Sequence, residues 1–214
     1  MNTKAMVTLA VGTHLEYLSI ALPSLQAFTR RHGYDLYVSR ETAGIRYPAW
    51  YKIPLLIDLL GSYETAVFIG SDLVVVDGRE DFAPLVPDDA WQALVRHNTG
   101  DGDVPNDDMW LCRKPMLPYL EKIWTMTQWL NHGWWEQAAL LELMGYHVIQ
   151  PTHLEKATEL YEHTFFLPVE WNVHKWHSPK PEHPRIQHAT MYRDRAGVMR
   201  EWAKEAEGWI NELH

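Results

Sequence analysis

Short apolar runs and stretches of helical spacing alternate along this chain, and their order predicts its architecture. Met6-Val-Thr-Leu-Ala-Val11, closed by Gly12, is rich in β-formers and predicts a buried strand with its turn. Leu18, Ala21, Leu22, Leu25 and Phe28 then recur at steps of three and four, which predicts a helix, with Pro23 predicting a kink or restart inside it. Asp35-Leu-Tyr-Val38 predicts a second strand, and strand, helix, strand opens an α/β fold with a parallel sheet. Lys52 to Leu60 predicts a helix with Pro54 near its first turn. Thr65-Ala-Val-Phe-Ile69 and Leu73-Val-Val-Val76 predict strands around Gly70-Ser71-Asp72, which sets a carboxylate at the end of a buried strand.

Further along, Trp91 to Val95 and Met109 to Cys112 predict strands, and Asn98 to Asp108, dense in turn formers, predicts a loop between them. Leu117 to Leu130 and Trp134 to Met144 predict helices, and Val148-Ile149 a short strand. Glu170 to Arg185 contains Pro179, Pro181 and Pro184 and predicts an irregular surface segment. Met199, Trp202, Ala203, Ala206, Trp209, Ile210 and Leu213 fall on one face of a closing amphipathic helix. Neither a repeat nor a linker interrupts this order, so one domain over residues 1–214 is expected.

Composition narrows the picture. At 214 residues, with 46% apolar and 22% charged positions, the chain can bury a core and does not read as disordered. Nineteen Lys plus Arg against 28 Asp plus Glu give a net charge of −9, the wrong sign for general attraction to nucleic acid. A single cysteine, Cys112, excludes an internal disulfide, and no run reaches the roughly 18 apolar residues of a membrane span, so a cytoplasmic protein is expected. Eleven Trp and 12 His are the unusual counts; Trp faces stack on sugar rings but also fill cores.

Carboxylates and imidazoles hold the divalent cations that neutralise diphosphates. Asp72 at a strand end, Glu136 at a helix start and His188 near the chain's end are of this kind, and only a fold can bring them together. Plainer readings stand beside each. Asp72 suits a turn, Glu136 suits the positive end of a helix, and Lys52 suits a surface. The helix around Glu136 is apolar nearly all round, so Glu136 and Gln137 are expected to be held inside and to need partners. His174, His177 and His183 match no ligand spacing and suit a polar loop, and the literal Asp101-Gly102-Asp103 reads as a solvated turn.

Several segments carry a resemblance. Thr8-Leu-Ala-Val-Gly-Thr-His-Leu-Glu-Tyr17 with Ser19-Ile-Ala-Leu-Pro-Ser-Leu25 resembles the opening strand and helix of glycogenin-like and lipopolysaccharide-type glycosyltransferases. Trp50-Tyr-Lys52, followed by Tyr63 through Asp72, resembles their pattern of a Trp and a Lys, a helix, a strand and an Asp-x-Asp motif. His132-Gly-Trp-Trp-Glu136-Gln137-Ala-Ala-Leu140 is similar to a Trp-Glu-Gln-x-Ala-Leu motif of fungal galactosyl- and mannosyltransferases and plant xylosyltransferases. Leu167-Pro-Val-Glu-Trp-Asn172 and Ile186-Gln-His188-Ala match the late Asn and metal-binding His of such enzymes.

The resemblance implies an α/β GT-A fold, Rossmann-like, with a mostly parallel central sheet flanked by helices. It implies a UDP- or GDP-sugar donor, a carbohydrate or glycoconjugate acceptor, and Mn²⁺ or Mg²⁺ held by Asp72 and His188. Val11, Thr13 and Tyr17 would line the nucleotide, and Lys52, Ser71 and Asn172 would contact the donor. Glu136 and Gln137 would be the catalytic residues at the donor sugar or acceptor. One position departs: Gly70 stands where the motif has its first carboxylate, which makes metal binding weaker or shifts it to Ser71, Asp77 or water. That loss keeps open a nucleotide-sugar-binding protein without transfer activity. A phosphatase built on Asp72 ranks last, because it wants the paired Asp that Gly70 removes.

Overall fold

The computed structural model describes residues 3–98, 103–149 and 152–213. Its elements are β1 (Lys4–Leu9), α1 (His14–His32), β2 (Tyr34–Ser39), α2 (Lys52–Ser62), β3 (Thr65–Ile69), β4 (Leu73–Val75), β5 (Gln92–Asn98) and β6 (Asp103–Arg113). There follow α3 (Leu117–Thr125), α4 (Trp135–Met144), β7 (Tyr146–His147), β8 (His153–Leu154), α5 (Glu159–Glu162), β9 (Thr164–Leu167), β10 (Ile186–His188) and α6 (Arg195–Asn211). The main sheet has the order β2-β1-β3-β6-β5-β9. β1 runs parallel to β2 and β3, and β5 parallel to β9, while β6 is antiparallel to both of its neighbours.

The pleat explains why the strands read as unbroken apolar runs. Successive side chains leave a strand on opposite faces, so a strand covered on both sides needs apolar residues at every position. Met6, Val67, Ile69, Met109 and Leu111 enter one core with Leu25 and Phe28 of α1 and Met199, Trp202 and Trp209 of α6. Their neighbours Ala5, Val7, Phe68, Trp110 and Cys112 enter the other core with α2, α3 and α4. Helices therefore sandwich the sheet, and the mixed α/β architecture expected from the sequence is present.

Several boundaries differ from the sequence expectation. Pro23 does not break α1, which runs unbroken from His14 to His32 and ends on left-handed Gly33. The segment expected as a loop at 98–108 is strand from Asp103 onward, because its backbone pairs with β5. Of the Asp101-Gly102-Asp103 turn, Asp101 and Gly102 lie outside the described residues. The short strand expected at Val148-Ile149 lies instead at Tyr146–His147, paired with His153–Leu154. The helix expected to reach Leu130 ends at Thr125, and a separate 3-10 turn covers Thr127–Trp129. β9, which lacked a recognisable period, closes the sheet's edge beside β5.

Two features position the site. β4 leaves the main sheet and pairs antiparallel with β10, in a register that sets His188 opposite Leu73. In β6, the stretch from Leu111 to Asn106 spans five residues while its partner moves two, from Ala93 to Val95. The extra residues form a bulge that carries Asp107 and Asp108, and bulges re-aim the side chains they contain.

Candidate active site

A cavity of about 810 Å³ opens beyond the ends of β1 and β3. This is where open α/β sheets bind ligands, at the carboxyl ends of parallel strands. Val11, Gly12, Thr13 and His14, leading into α1, form one wall, and Lys52, Ser71 and Asp72 line it with the β6 bulge. Glu136 and Gln137 enter from the start of α4, and Trp176, Thr190, Met191 and Arg195 from the late segments. Among the described residues two non-glycines hold left-handed backbone, Trp135 (φ 43°) and Met191 (φ 65°), and both line this cavity. Such strain clusters at functional sites. Trp135 stacks flat on Tyr47, rings 4.0 Å apart, which fixes the entry of α4 just before Glu136.

The floor is a charge cluster. Lys52 is buried, and its ammonium lies 2.8 Å from Glu136 Oε1, 3.0 Å from Asp107 Oδ1 and 3.2 Å from Asp108 Oδ1. An ammonium has three N–H donors, and three carboxylates take them. Burial disfavours the lysine charge, but the three carboxylates outweigh it and push the Lys52 pKa well above its ordinary value. Burial pushes Glu136 up to about 7 against the pull of Lys52, with the Asp107 charge adding to the rise. Asp107 is raised by the same burial. Burial also opposes the charge of Asp108, but Lys52 and then His188 outweigh it and hold its carboxyl well below the usual range. One oxygen each of Glu136 and Asp107 is buried without a hydrogen bond.

Beside this floor stands His188, 1% exposed, directly behind the lining residues Asp72 and Asp108. Its orientation is set by a relay of amides. Asn172 Nδ2 donates to Asn106 Oδ1 (2.8 Å), and Asn106 Nδ2 donates to Gln137 Oε1 (3.3 Å). Asn172 Oδ1 must therefore accept, and His188 Nδ1–H donates to it at 3.1 Å. The other ring nitrogen, Nε2, lies 3.6 Å from Asp72 Oδ1 and 3.6 Å from Asp108 Oδ2, beyond hydrogen-bond reach of both. The β4–β10 pairing makes this meeting, helped by Ala189 N–H donating to the Asp72 carbonyl at 2.9 Å. Arg195, the first residue of α6, donates to Asp72 Oδ2 at 3.3 Å.

The fold thus gathers most of the residues singled out from the sequence. Val11, Thr13, Lys52, Ser71, Asp72, Glu136 and Gln137 line one cavity; Asn172 and His188 lie immediately behind it. Tyr17 is set back, its ring edge-on to His14, whose Nδ1 lies 3.1 Å from Ser71 Oγ. Asp77 is engaged elsewhere, by Arg79 and Arg185. Sequence reasoning missed Asn106, Asp107, Asp108 and Arg195. The available signal was that Asp107-Asp108 abuts the apolar run Met109 to Cys112, as Asp72 abuts β3.

Comparison with solved structures shows the same fold. The chain superimposes on a glycosyltransferase involved in glycosylation of the major capsid of PBCV-1, with a TM-score of 0.66 at 13% identity over 92% of this chain and 99% of that one. The chain has the GT-A fold. The galactosyltransferase LgtC, solved with donor and acceptor sugar analogs, matches at a TM-score of 0.61 and 12% identity over 94% of this chain and 95% of its own. GlyE of Streptococcus pneumoniae TIGR4 matches at 0.63 and 14% identity over 98% of this chain, which spans 64% of GlyE. No protein-family model matches the sequence, and no curated protein matches it.

Proposed function

We propose that this GT-A chain is a glycosyltransferase that takes a nucleotide-diphosphate sugar, assisted by a divalent cation, and passes the sugar to a carbohydrate-type acceptor. The observation that carries the reading is His188: its Nε2 lone pair, freed by the Asn172 bond at Nδ1, faces the Asp72 carboxylate beside a cavity of donor size. Charge supports it. Among the described residues lining the cavity, Asp72, Asp107 and Asp108 outnumber the cations Lys52 and Arg195, so a bound diphosphate is favoured by an added cation. Imidazole with carboxylate is a mixed nitrogen and oxygen donor set that suits Mn²⁺ better than Mg²⁺, whose ligands are oxygens.

Asp72 and His188 would hold the cation, which when bound neutralises charge on the leaving diphosphate. The chain's own groups do the rest. Val11 and Thr13 border the nucleotide, and Ser71, tied to His14, presents its hydroxyl beside the phosphates. Glu136 and Gln137 face the sugar, and the unpartnered Glu136 oxygen accepts from a sugar hydroxyl. Lys52, whose donors are spent on carboxylates, orders the floor instead of gripping the donor. That LgtC was solved with donor and acceptor sugar analogs supports this reading.

A thermal-shift panel of UDP-, GDP- and TDP-sugars with and without Mn²⁺ tests the reading, because a ligand at 100 times its Kd adds about 2.7 kcal/mol to the folded state. At least one donor is expected to raise the Tm more with Mn²⁺ than without. Asp72→Asn is expected to cut slow donor hydrolysis at least a hundredfold at unchanged Tm. No shift with any donor, or full hydrolysis by the variant, overturns the proposal.

A further inference from the structure

Gly70 leaves the metal motif one carboxylate short, and the structure places another in the gap. A β-carbon built on Gly70 would lie 3.5 Å from Asp108 Cβ, so the Asp108 side chain starts in van der Waals contact with the place a side chain at 70 would start. The same β-carbon would meet the flexible end of Leu73 (Cδ1, 2.9 Å) and Asp72 Oδ1 at 3.2 Å, so a side chain at 70 would press on the Asp72 carboxylate. β6 holds this position firmly, since Gly70 N–H donates to the Asp108 carbonyl at 2.7 Å and Asp108 N–H donates to Asn106 Oδ1 at 3.1 Å.

The second observation is His188. It is buried, its Nδ1 is committed to Asn172, and among the described residues its Nε2 has no hydrogen bond. That nitrogen points between Asp72 Oδ1 and Asp108 Oδ2, each 3.6 Å away. An imidazole lone pair that faces a carboxylate on either side offers donors to a cation seated between them. Asp108 also keeps a partly exposed side chain toward the cavity, whereas Asp107 is buried against Lys52.

Resting on the metal-assisted reading above, we propose that Asp108 is a direct ligand of the cation, supplying from the β6 bulge the carboxylate that position 70 lacks. The site is then Asp72, Asp108 and His188, with Lys52 binding the other Asp108 oxygen and aiming it. This arrangement moves a metal ligand from one strand to its neighbour without changing the number of protein donors.

The experiment is Mn²⁺ titration of the whole chain, read by the electron paramagnetic resonance of free Mn²⁺ and not by activity. All proteins carry His153→Ala, because His147, His153 and Glu155 bring ligand atoms within 4.8 Å of one another and would otherwise compete. Asp72→Asn and Asp108→Asn are each expected to weaken Mn²⁺ at least tenfold. Asp107→Asn, which removes a carboxylate from the same lysine without facing His188, is expected to weaken Mn²⁺ less than Asp108→Asn does. A direct probe guards against misfolding: Asp108→Cys is expected to bind Cd²⁺ with a thiolate-to-metal absorption band absent from the parent, whose only thiol, Cys112, is buried. If Asp72→Asn loses Mn²⁺ while Asp108→Asn keeps it, or if Asp107→Asn loses as much as Asp108→Asn, the role of Asp108 is overturned and the Asp72–His188 metal site stands. If the parent binds no Mn²⁺, both fall.

Discussion

Glu136 shows how one buried residue sets a pH dependence. Its folded pKa of about 7 lies above the ordinary 4.5, because burial penalises its charged form. Between those values the folded state keeps a proton that the unfolded chain releases, so stability falls as pH rises through the window. Glu136→Gln removes the penalty while keeping the side chain's size. The variant also takes a carboxylate from Lys52, so the expected outcome is a relative one: its Tm minus that of the parent rises from pH 4.5 to pH 8. Its turnover is expected to fall, because the acceptor for a sugar hydroxyl is weakened. Differential scanning fluorimetry across pH measures the first effect, and a Tm difference that stays constant from pH 4.5 to pH 8 would show that the glutamate carries no such penalty. The sequence marked Glu136 as buried and needing partners, through the apolar helix around it. It did not show that the partner is Lys52, because nothing local in a lysine distinguishes a buried ammonium from a surface one.

At the scale of elements, the clearest constraint is the end of α4. Gly145 has φ 93°, and a β-carbon there would lie 1.8 Å from the Lys156 carbonyl oxygen. The backbone must pass this closely because Glu155 and Lys156 N–H donate to the Gly145 carbonyl, which anchors the β7–β8 ladder to the helix. Gly145→Ala therefore combines an unfavourable φ with a collision and is expected to cost well over 1 kcal/mol, a Tm loss above about 3 °C. A variant that melts with the parent would mean that the chain can swing away from the helix end. The β6 bulge is the functional counterpart. Regular pleating would send Asp107 and Asp108 to opposite faces, and the bulge instead brings both within 3.2 Å of one ammonium.

For the whole molecule, the closing helix joins stability to the site. α6 buries Met199, Trp202, Ala206 and Trp209 against α1 and β4, and its first residue, Arg195, reaches Asp72. At about 1.5–3 kcal/mol for each large side chain, this contact is comparable to the 5–15 kcal/mol that holds a typical domain folded. Truncation after Asp194 is expected to yield a chain without a cooperative melt and with dye-binding apolar surface. A truncated chain with a sharp transition would show that the α1 face is stable uncovered. No helix among the described residues is long and apolar enough to cross a membrane.

The sequence by itself determined the α/β order, the strands buried on both faces, the closing amphipathic helix, and Asp72 at the turn after β3. These follow from local periods of two and of three to four, which any short window contains. It also named seven residues of the cavity's lining, Val11, Thr13, Lys52, Ser71, Asp72, Glu136 and Gln137, through motif order. Only the tertiary structure decided that β10 pairs with β4 and so brings His188 to Asp72, 116 positions away in the chain, and that β6 bulges. Register and bulges depend on which partner strand is present and how its hydrogen bonds align. A run such as Asn106-Asp-Asp108 therefore reads as a turn until its neighbours hold it in the sheet.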